Sequence, residues 1–291
     1  MSTEVPGGVG LYIRELSASK HGTPAQAAKK AADHNVSFVA IMTAWQDLRG
    51  SRPHFKRCNG ADGQKIKRYA EAFTARGIHV WLWGFPRGGG EEQFVDRFVD
   101  VNEVCGPIIR GWLWDPELYY KWSRPASAAG PVSMRGQPEF SPTASSPVGS
   151  AQTRKAQAQK LVNLTLDAMN ESLGLGITSY GMAGFHKNFP WSVFGGVGWG
   201  SPQLYSVGPQ QVDRGIRQWR AHGWDTIIPS VPTFGKKSGG AKLHDHLSNF
   251  VDGDENISGF IFWSWRQTQA DEWRILARWA AWFEGDRVAI G

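Results

Sequence analysis

Short apolar runs bounded by glycine and proline alternate with longer stretches of helical periodicity along nearly the whole chain. That is the pattern of parallel strands joined by helices. The runs predict strands over residues 8–13, 37–43, 79–84, 109–115, 175–180, 197–205, 226–231 and 257–265. The intervening stretches predict a helix opened by Thr23-Pro24, then helices over 64–76, 91–104, 152–173, 210–222, 243–251 and 270–283. Thr23 suits an N-cap with proline at the first helical position, and Gly77, Gly174 and Gly223 suit helix ends. The stretch through Pro53 and Gly60 reads as a long loop. Eight strand–helix repeats within 291 residues predict an α/β protein, a single-domain (β/α)8 TIM barrel over 1–291. The rival, an open doubly wound sheet, calls for a glycine-rich phosphate loop after its first strand. Here that strand runs into Arg14-Glu15-Leu16-Ser17.

The repeat is interrupted once. Between Ser123 and Ser150, five prolines, seven serines, four alanines and three glycines make up most of 28 residues, a composition of extended loop rather than of a helix or strand. An insertion directly after the fourth strand starts at the rim of the barrel mouth, where it reads either as a lid or as a disordered insertion without a role.

Composition narrows the class. Lys and Arg outnumber Asp and Glu by 32 to 26, a net charge of +6, which favours polyanionic partners without choosing among them. The basic residues are scattered and form no recognised nucleic-acid module, so nucleic acid is not expected as a partner. No apolar run reaches the length of a membrane span and the N-terminus lacks a signal-peptide pattern, so the expectation is cytoplasmic synthesis and no membrane partner. Two cysteines, Cys58 and Cys105, cannot build a disulfide framework or a cysteine-based zinc site. No metal and no cofactor is expected. The 15 tryptophans against 6 tyrosines point both to a large packed core and to stacking platforms for the apolar faces of sugars.

In such a barrel, chemistry sits where strands end at the C-terminal face. The fourth strand reads Gly111-Trp112-Leu113-Trp114-Asp115-Pro116-Glu117. Period-two alternation sends Trp112 and Trp114 outward and puts Leu113, Asp115 and Glu117 on the mouth side. Two neighbouring carboxylates repel, which raises one pKa and leaves a protonated acid beside an ionised one, the division of labour that glycoside hydrolysis uses. The competing local reading is an ordinary helix start, with Asp115 as N-cap and Pro116 at the first position.

The Asp115-x-Glu117 strand end, together with Ile177-Thr178-Ser179-Tyr180-Gly181, Gln203-Leu204-Tyr205 and Phe260-Ile261-Phe262-Trp263-Ser264-Trp265, resembles the glycoside hydrolase family 25 lysozymes. The resemblance implies a muramidase-type barrel that cuts the β-1,4 bond after N-acetylmuramic acid in peptidoglycan. It implies Glu117 as general acid and Asp115 as the group that steadies the substrate's 2-acetamido or the oxocarbenium-like centre. Tyr180, Gln203 and Tyr205 would line the sugar site. That family carries an Asp on strand one, where this chain has Tyr12-Ile13-Arg14-Glu15, and an acid near strand eight, where it has Trp265-Arg266-Gln267. Glu15 and Asp47 are the candidate substitutes. Trp83 and Trp265, near strand ends, are the candidate stacking rings.

The expected function is therefore hydrolysis of a polysaccharide, peptidoglycan or a related glycan, by a lysin acting on the wall after release or among virion components. The alternative is an inactive glycan-binding or structural barrel from a tail or baseplate. Arg87-Gly88-Gly89-Gly90 reads as a flexible active-site loop. His244-Asp245-His246 reads as solvent-exposed or capping rather than as a metal pair, because i and i+2 diverge on a helix.

Overall fold

A computed structural model describes residues 4–49, 52–117, 151–205, 209–233, 240–251 and 257–285. The expected insertion over 123–150 lies outside them. Among the described residues there are nine strands: β1 (Gly8–Ile13), β2 (Phe38–Arg49), β3 (Arg52–Arg57), β4 (His79–Phe85), β5 (Ile109–Trp114), β6 (Gly174–Tyr180), β7 (Trp199–Gln203), β8 (Ser230–Pro232) and β9 (Gly259–Trp263). All neighbours except β2 and β3 run parallel, in the order β1-β9-β8-β7-β6-β5-β4-β2, and β1 pairs with β2. The ring of eight is thus closed, and the chain is the expected single (β/α)8 barrel.

Helices α1 (Ala18–His21), α2 (Pro24–Ala32), α3 (Gln64–Thr74), α4 (Glu91–Cys105), α5 (Ala151–Ala168), α6 (Trp191–Phe194), α7 (Pro209–Ala221), α8 (Gly240–Val251) and α9 (Ala270–Phe283) follow the strands. The start of α2 is a capping box: Thr23 accepts from the Gln26 amide, and the Gln26 side chain accepts from the Thr23 amide, which satisfies two amides that the helix leaves without partners.

Two features differ from the sequence expectation. The loop expected through Pro53 is a hairpin, in which β3 pairs antiparallel with an extended β2 from Ala44–Arg57 to Arg49–Arg52. Its second strand pairs with β2 alone, at the end of the sheet order, so it does not read as a barrel strand buried on both sides and periodicity is a poor guide there. The seventh barrel strand is shorter than expected, Ile227 bridging Gly200 on one side and Ile257 on the other, followed by Ser230–Pro232. Pro229 between them has no amide to donate to a ladder.

The lumen is packed by pairing large side chains with glycines on neighbouring strands. A Cβ on Gly111 or Gly174 would lie 2.4 or 2.5 Å from the Trp81 ring, and one on Gly176 would lie 2.4 Å from Trp199. Trp81 and Trp199 meet edge to face at 5.4 Å. Tryptophans also fill the layer between strands and helices: Trp112 and Trp114 pack on Phe94 and Phe98 of α4, as the alternation along β5 predicts. Leu113 faces the lumen with Trp81 and Trp83. The filled lower barrel leaves only the upper end of the strands to host polar groups.

Candidate active site

Above the aromatic floor the lumen turns polar on the β6–β8 side. Thr178, Ser201 and Ser230 are buried. Ser230 Oγ lies 3.0 Å from the Tyr12 hydroxyl and 2.8 Å from Ser201 Oγ, while Thr178 Oγ1 donates to the Ser201 carbonyl at 2.9 Å. Tyr205 adds its hydroxyl to Ser230. These groups satisfy one another in a place that water does not reach.

Asp115 sits at the top of this network. The amide of Asp115 donates to the Gly84 carbonyl at 2.9 Å, continuing the β4–β5 ladder, so its side chain keeps the inward direction of the strand. It is 5 % exposed. Gln203 Nε2 donates to Asp115 Oδ1 at 2.9 Å, and Glu117 hydrogen-bonds the same carboxyl. The turn between the two acids is held by Ser179 Oγ, which donates to the Pro116 carbonyl at 2.6 Å. Burial pushes the Asp115 carboxyl well above the usual carboxylate range; the charge of Glu117 and the hydrogen bond to it add to the rise, and the Gln203 bond opposes it. Two carboxyls that hydrogen-bond to each other need a proton between them, so the pair is built to hold one.

Tyr180 and Tyr205 complete the wall. Both hydroxyls are pushed up, first by burial. At Tyr180 the charges of Glu117 and Asp115 follow; at Tyr205 those of Tyr12, Asp115 and Glu117 do. They remain neutral donors beside the acids. Tyr180 is fixed by Trp219 Nε1, which donates to its carbonyl at 3.0 Å, and by His186, whose ring stacks on the tyrosine at 3.8 Å and 9°.

Five of the nine candidates therefore stand together: Asp115, Glu117, Tyr180, Gln203 and Tyr205. Trp83 lies beneath them, fully buried against Tyr12 and Trp263 at 5.2 and 5.0 Å. It is floor rather than exposed stacking face. Glu15 does not join the site: it is exposed after β1 and paired with Lys20 at 2.7 Å. Asp47 is on β2 opposite His54, and its side chain lies outside the described residues. Trp265 points away, buried at 3 % exposure among His21, Phe73 and Trp273. The strand expected over 257–265 would put Trp263 and Trp265 on one face, but it stops at Trp263 and a turn follows, with Gln267 N donating to the Ser264 carbonyl at 2.9 Å. Trp263 is the ring that faces the mouth, 5.1 Å from Tyr12.

Sequence reasoning missed Tyr12, although it is the one residue of Val9-Gly10-Leu11-Tyr12-Ile13 with a polar tip at a lumen-facing position. It also misjudged His246, which is not exposed. His246 Nε2 lies 3.0 Å from the Leu204 carbonyl at 1 % exposure, so the imidazole donates to the backbone between Gln203 and Tyr205. Replacing His246 with Leu leaves that carbonyl without this donor in a dry place, and we expect a loss of about 1–3 kcal/mol. The check is thermal unfolding beside glycan binding: His246→Gln, which can still donate, should recover part of both. Unchanged stability in His246→Leu would show that the bond does not hold β7.

Among the described residues no cluster of His, Cys, Asp or Glu is arranged to hold a metal ion, and no helix is long and apolar enough to cross a membrane.

No protein-family model matches this sequence, nor does any curated protein. Solved structures do match in fold. The endo-1,4-β-mannanase from Rhizomucor miehei aligns with 96% of this chain and 95% of its own at 11% identity and a TM-score of 0.63. The chitinase from Chromobacterium violaceum aligns over 94% and 98% at 9% identity and a TM-score of 0.59. The spore cortex-lytic enzyme SleL from Bacillus megaterium aligns over 93% and 73% at 9% identity and a TM-score of 0.54. At such identities the likeness is one of fold: this chain is built on the barrel that these glycan-cleaving proteins use.

Proposed function

We propose that the protein is a glycoside hydrolase acting on glycans that contain N-acetylhexosamine, of muramidase type, with Glu117 as general acid and Asp115 as its partner. The observation that carries the reading is the hydrogen bond between the two carboxyls. Glycosidases that use one acid and one nucleophile hold their carboxyls about 5–5.5 Å apart, and inverting ones about 6.5–9.5 Å. Groups in hydrogen-bond contact are too close to flank a scissile bond from both sides. A substrate bearing its own nucleophile, the 2-acetamido oxygen, resolves this.

In that scheme the proton that the pair holds passes to Glu117, which gives it to the leaving glycosidic oxygen while the acetamido oxygen attacks C1. Asp115, ionised once Glu117 turns to the substrate, accepts the acetamido N–H and offsets the positive charge that develops on the ring so formed. Water then opens the ring at C1, with Glu117 taking back a proton. Tyr180 and Tyr205 donate toward the acetamido or the sugar hydroxyls, and Gln203 keeps Asp115 aimed. The shared fold with a chitinase and a spore cortex-lytic enzyme supports this choice of sugar class. A site of action at the cell wall follows from the reading.

The test is mass spectrometry of fragments released from purified peptidoglycan and from chitin oligosaccharides. New reducing ends on amino sugars, with retained anomeric configuration, are expected. Release of peptide alone, or inversion, would overturn the scheme. Binding without any new reducing end would favour the inactive-barrel alternative, which the absence of an acid on β1 motivates.

A further inference from the structure

On the other side of the acid pair, the ends of β1, β2 and β4 bring cations onto an aromatic surface. Trp45 of β2 stacks on Phe85 of β4 at 4.8 Å and 17°. The guanidinium of Arg87 lies 5.3 Å from the Trp45 ring centre and 5.1 Å from that of Phe85, and the guanidinium of Arg14 lies 5.4 Å from Trp45. Lys56 pairs directly opposite Trp45 in the β2–β3 hairpin and is exposed. Side chains at directly opposed positions stand on one face of the ladder, so a third cation borders the same ring. Because Asp115 N is bonded to Gly84 O, Phe85 ends β4 beside the acid pair and Arg87 follows two residues later.

This surface is held in place. Arg87 is 8 % exposed. Its amide donates to Gln46 Oε1 at 2.7 Å, and Gln46 Nε2 donates to the Gly90 carbonyl at 2.8 Å. The amides of Gly89 and Gly90 donate to the Glu91 carboxylate at 2.6 and 3.1 Å. The glycine run expected to be a flexible loop is thus tied to β2 at one end and to α4 at the other, and Arg87 is presented from a fixed backbone.

We infer that Arg14, Trp45, Lys56 and Arg87 form a subsite for a carboxylate-bearing unit of the glycan, adjacent to the cleavage point. The ring takes an apolar sugar face and the cations take the carboxylate, which guanidinium groups bind through charge-assisted hydrogen bonds. The inference rests on the glycosidase reading for the identity of the chain that carries the carboxylate. In peptidoglycan that group comes either from the lactyl ether of a peptide-free muramyl unit or from the stem peptide.

The test is calorimetric binding to the full chain carrying Glu117→Gln, so that turnover does not intervene. The probes are a peptide-free N-acetylglucosaminyl–N-acetylmuramyl tetrasaccharide, the same compound methyl-esterified at its carboxylates, and the corresponding tetrasaccharide with stem peptides. We expect one of the carboxylate probes to bind about tenfold tighter than the ester, the scale of one hydrogen bond to a charged group, and the gap to narrow as salt rises. Which of the two shows it assigns the source. Arg14→Gln and the exposed Lys56→Gln should each reduce the gap while leaving ester binding within about twofold, and Arg87→Gln should remove most of it. Equal binding of all three probes, or a preference that survives Arg14→Gln and Lys56→Gln together, would overturn the subsite. Separate assay of wild-type turnover distinguishes the two readings: carboxylate preference without hydrolysis keeps the subsite and sinks the hydrolase, and hydrolysis without preference does the reverse.

Discussion

Glu117→Gln is expected to lower glycan hydrolysis by about 10²–10⁴-fold, the range for losing a general acid, while the fold and glycan affinity persist. The amide keeps the shape of the side chain and can still donate a hydrogen bond to Asp115, so the geometry around Gln203 has no reason to shift. What it cannot supply is a proton to the leaving oxygen. The loss should fall on kcat rather than on KM, because the interaction removed is made chiefly in the transition state. Removing Glu117 also removes the charge that helps to raise Asp115, so the variant should bind substrate across a wider pH range than the wild type. Initial rates of reducing-end release, with binding measured on the same preparation, check it. Turnover within a few-fold of wild type would show that the proton comes from elsewhere.

The barrel was readable because its strands are buried on both sides. Near-continuous apolar runs such as His79–Phe85 and Ile109–Trp114 announce themselves whatever their neighbours are, and the glycines that end the helices punctuate them. The acid pair was readable for a related reason: Asp115 and Glu117 continue a strand whose tryptophans face α4, so the lumen side was fixed by elimination. What was not readable depends on distant partners. Nothing local in Gly240–Val251 says that His246 reaches the Leu204 carbonyl, and the hairpin through Pro53 reads as a loop because its second strand pairs with β2 alone instead of taking a place in the ring. Trp265 was misplaced because alternation was carried two residues past the end of β9. The side chain of Glu15 stayed in solvent because the chain leaves the barrel wall at Ile13 and Lys20 meets it there.

Asp115→Asn should separate activity from stability. The folded protein holds the Asp115 carboxyl well above its usual value, chiefly through burial, so between that usual value and the raised one the folded state binds a proton that the unfolded chain has already released. Stability must then fall as pH rises through this window, by up to about 1.4 kcal/mol for each pH unit that the two pKa values are apart. Below the unfolded value both states are protonated and this group contributes no slope. Asparagine imitates the protonated acid: its oxygen can accept from Gln203 and its amide can donate to Glu117, yet it never ionises. The variant should therefore unfold at a temperature that depends less on pH, and it should be more stable than wild type at neutral and alkaline pH. Its turnover should fall by about 10²–10³-fold, the cost of removing one fixed group that stabilises developing charge, since a neutral amide cannot offset the cation formed at C1. Thermal unfolding from pH 4 to pH 9, run beside hydrolysis of a chitin oligosaccharide, measures both. Parallel melting curves for the two proteins across that range would show that Asp115 carries no proton in the fold, and the proton-sharing pair at the centre of the proposed chemistry would have to be abandoned.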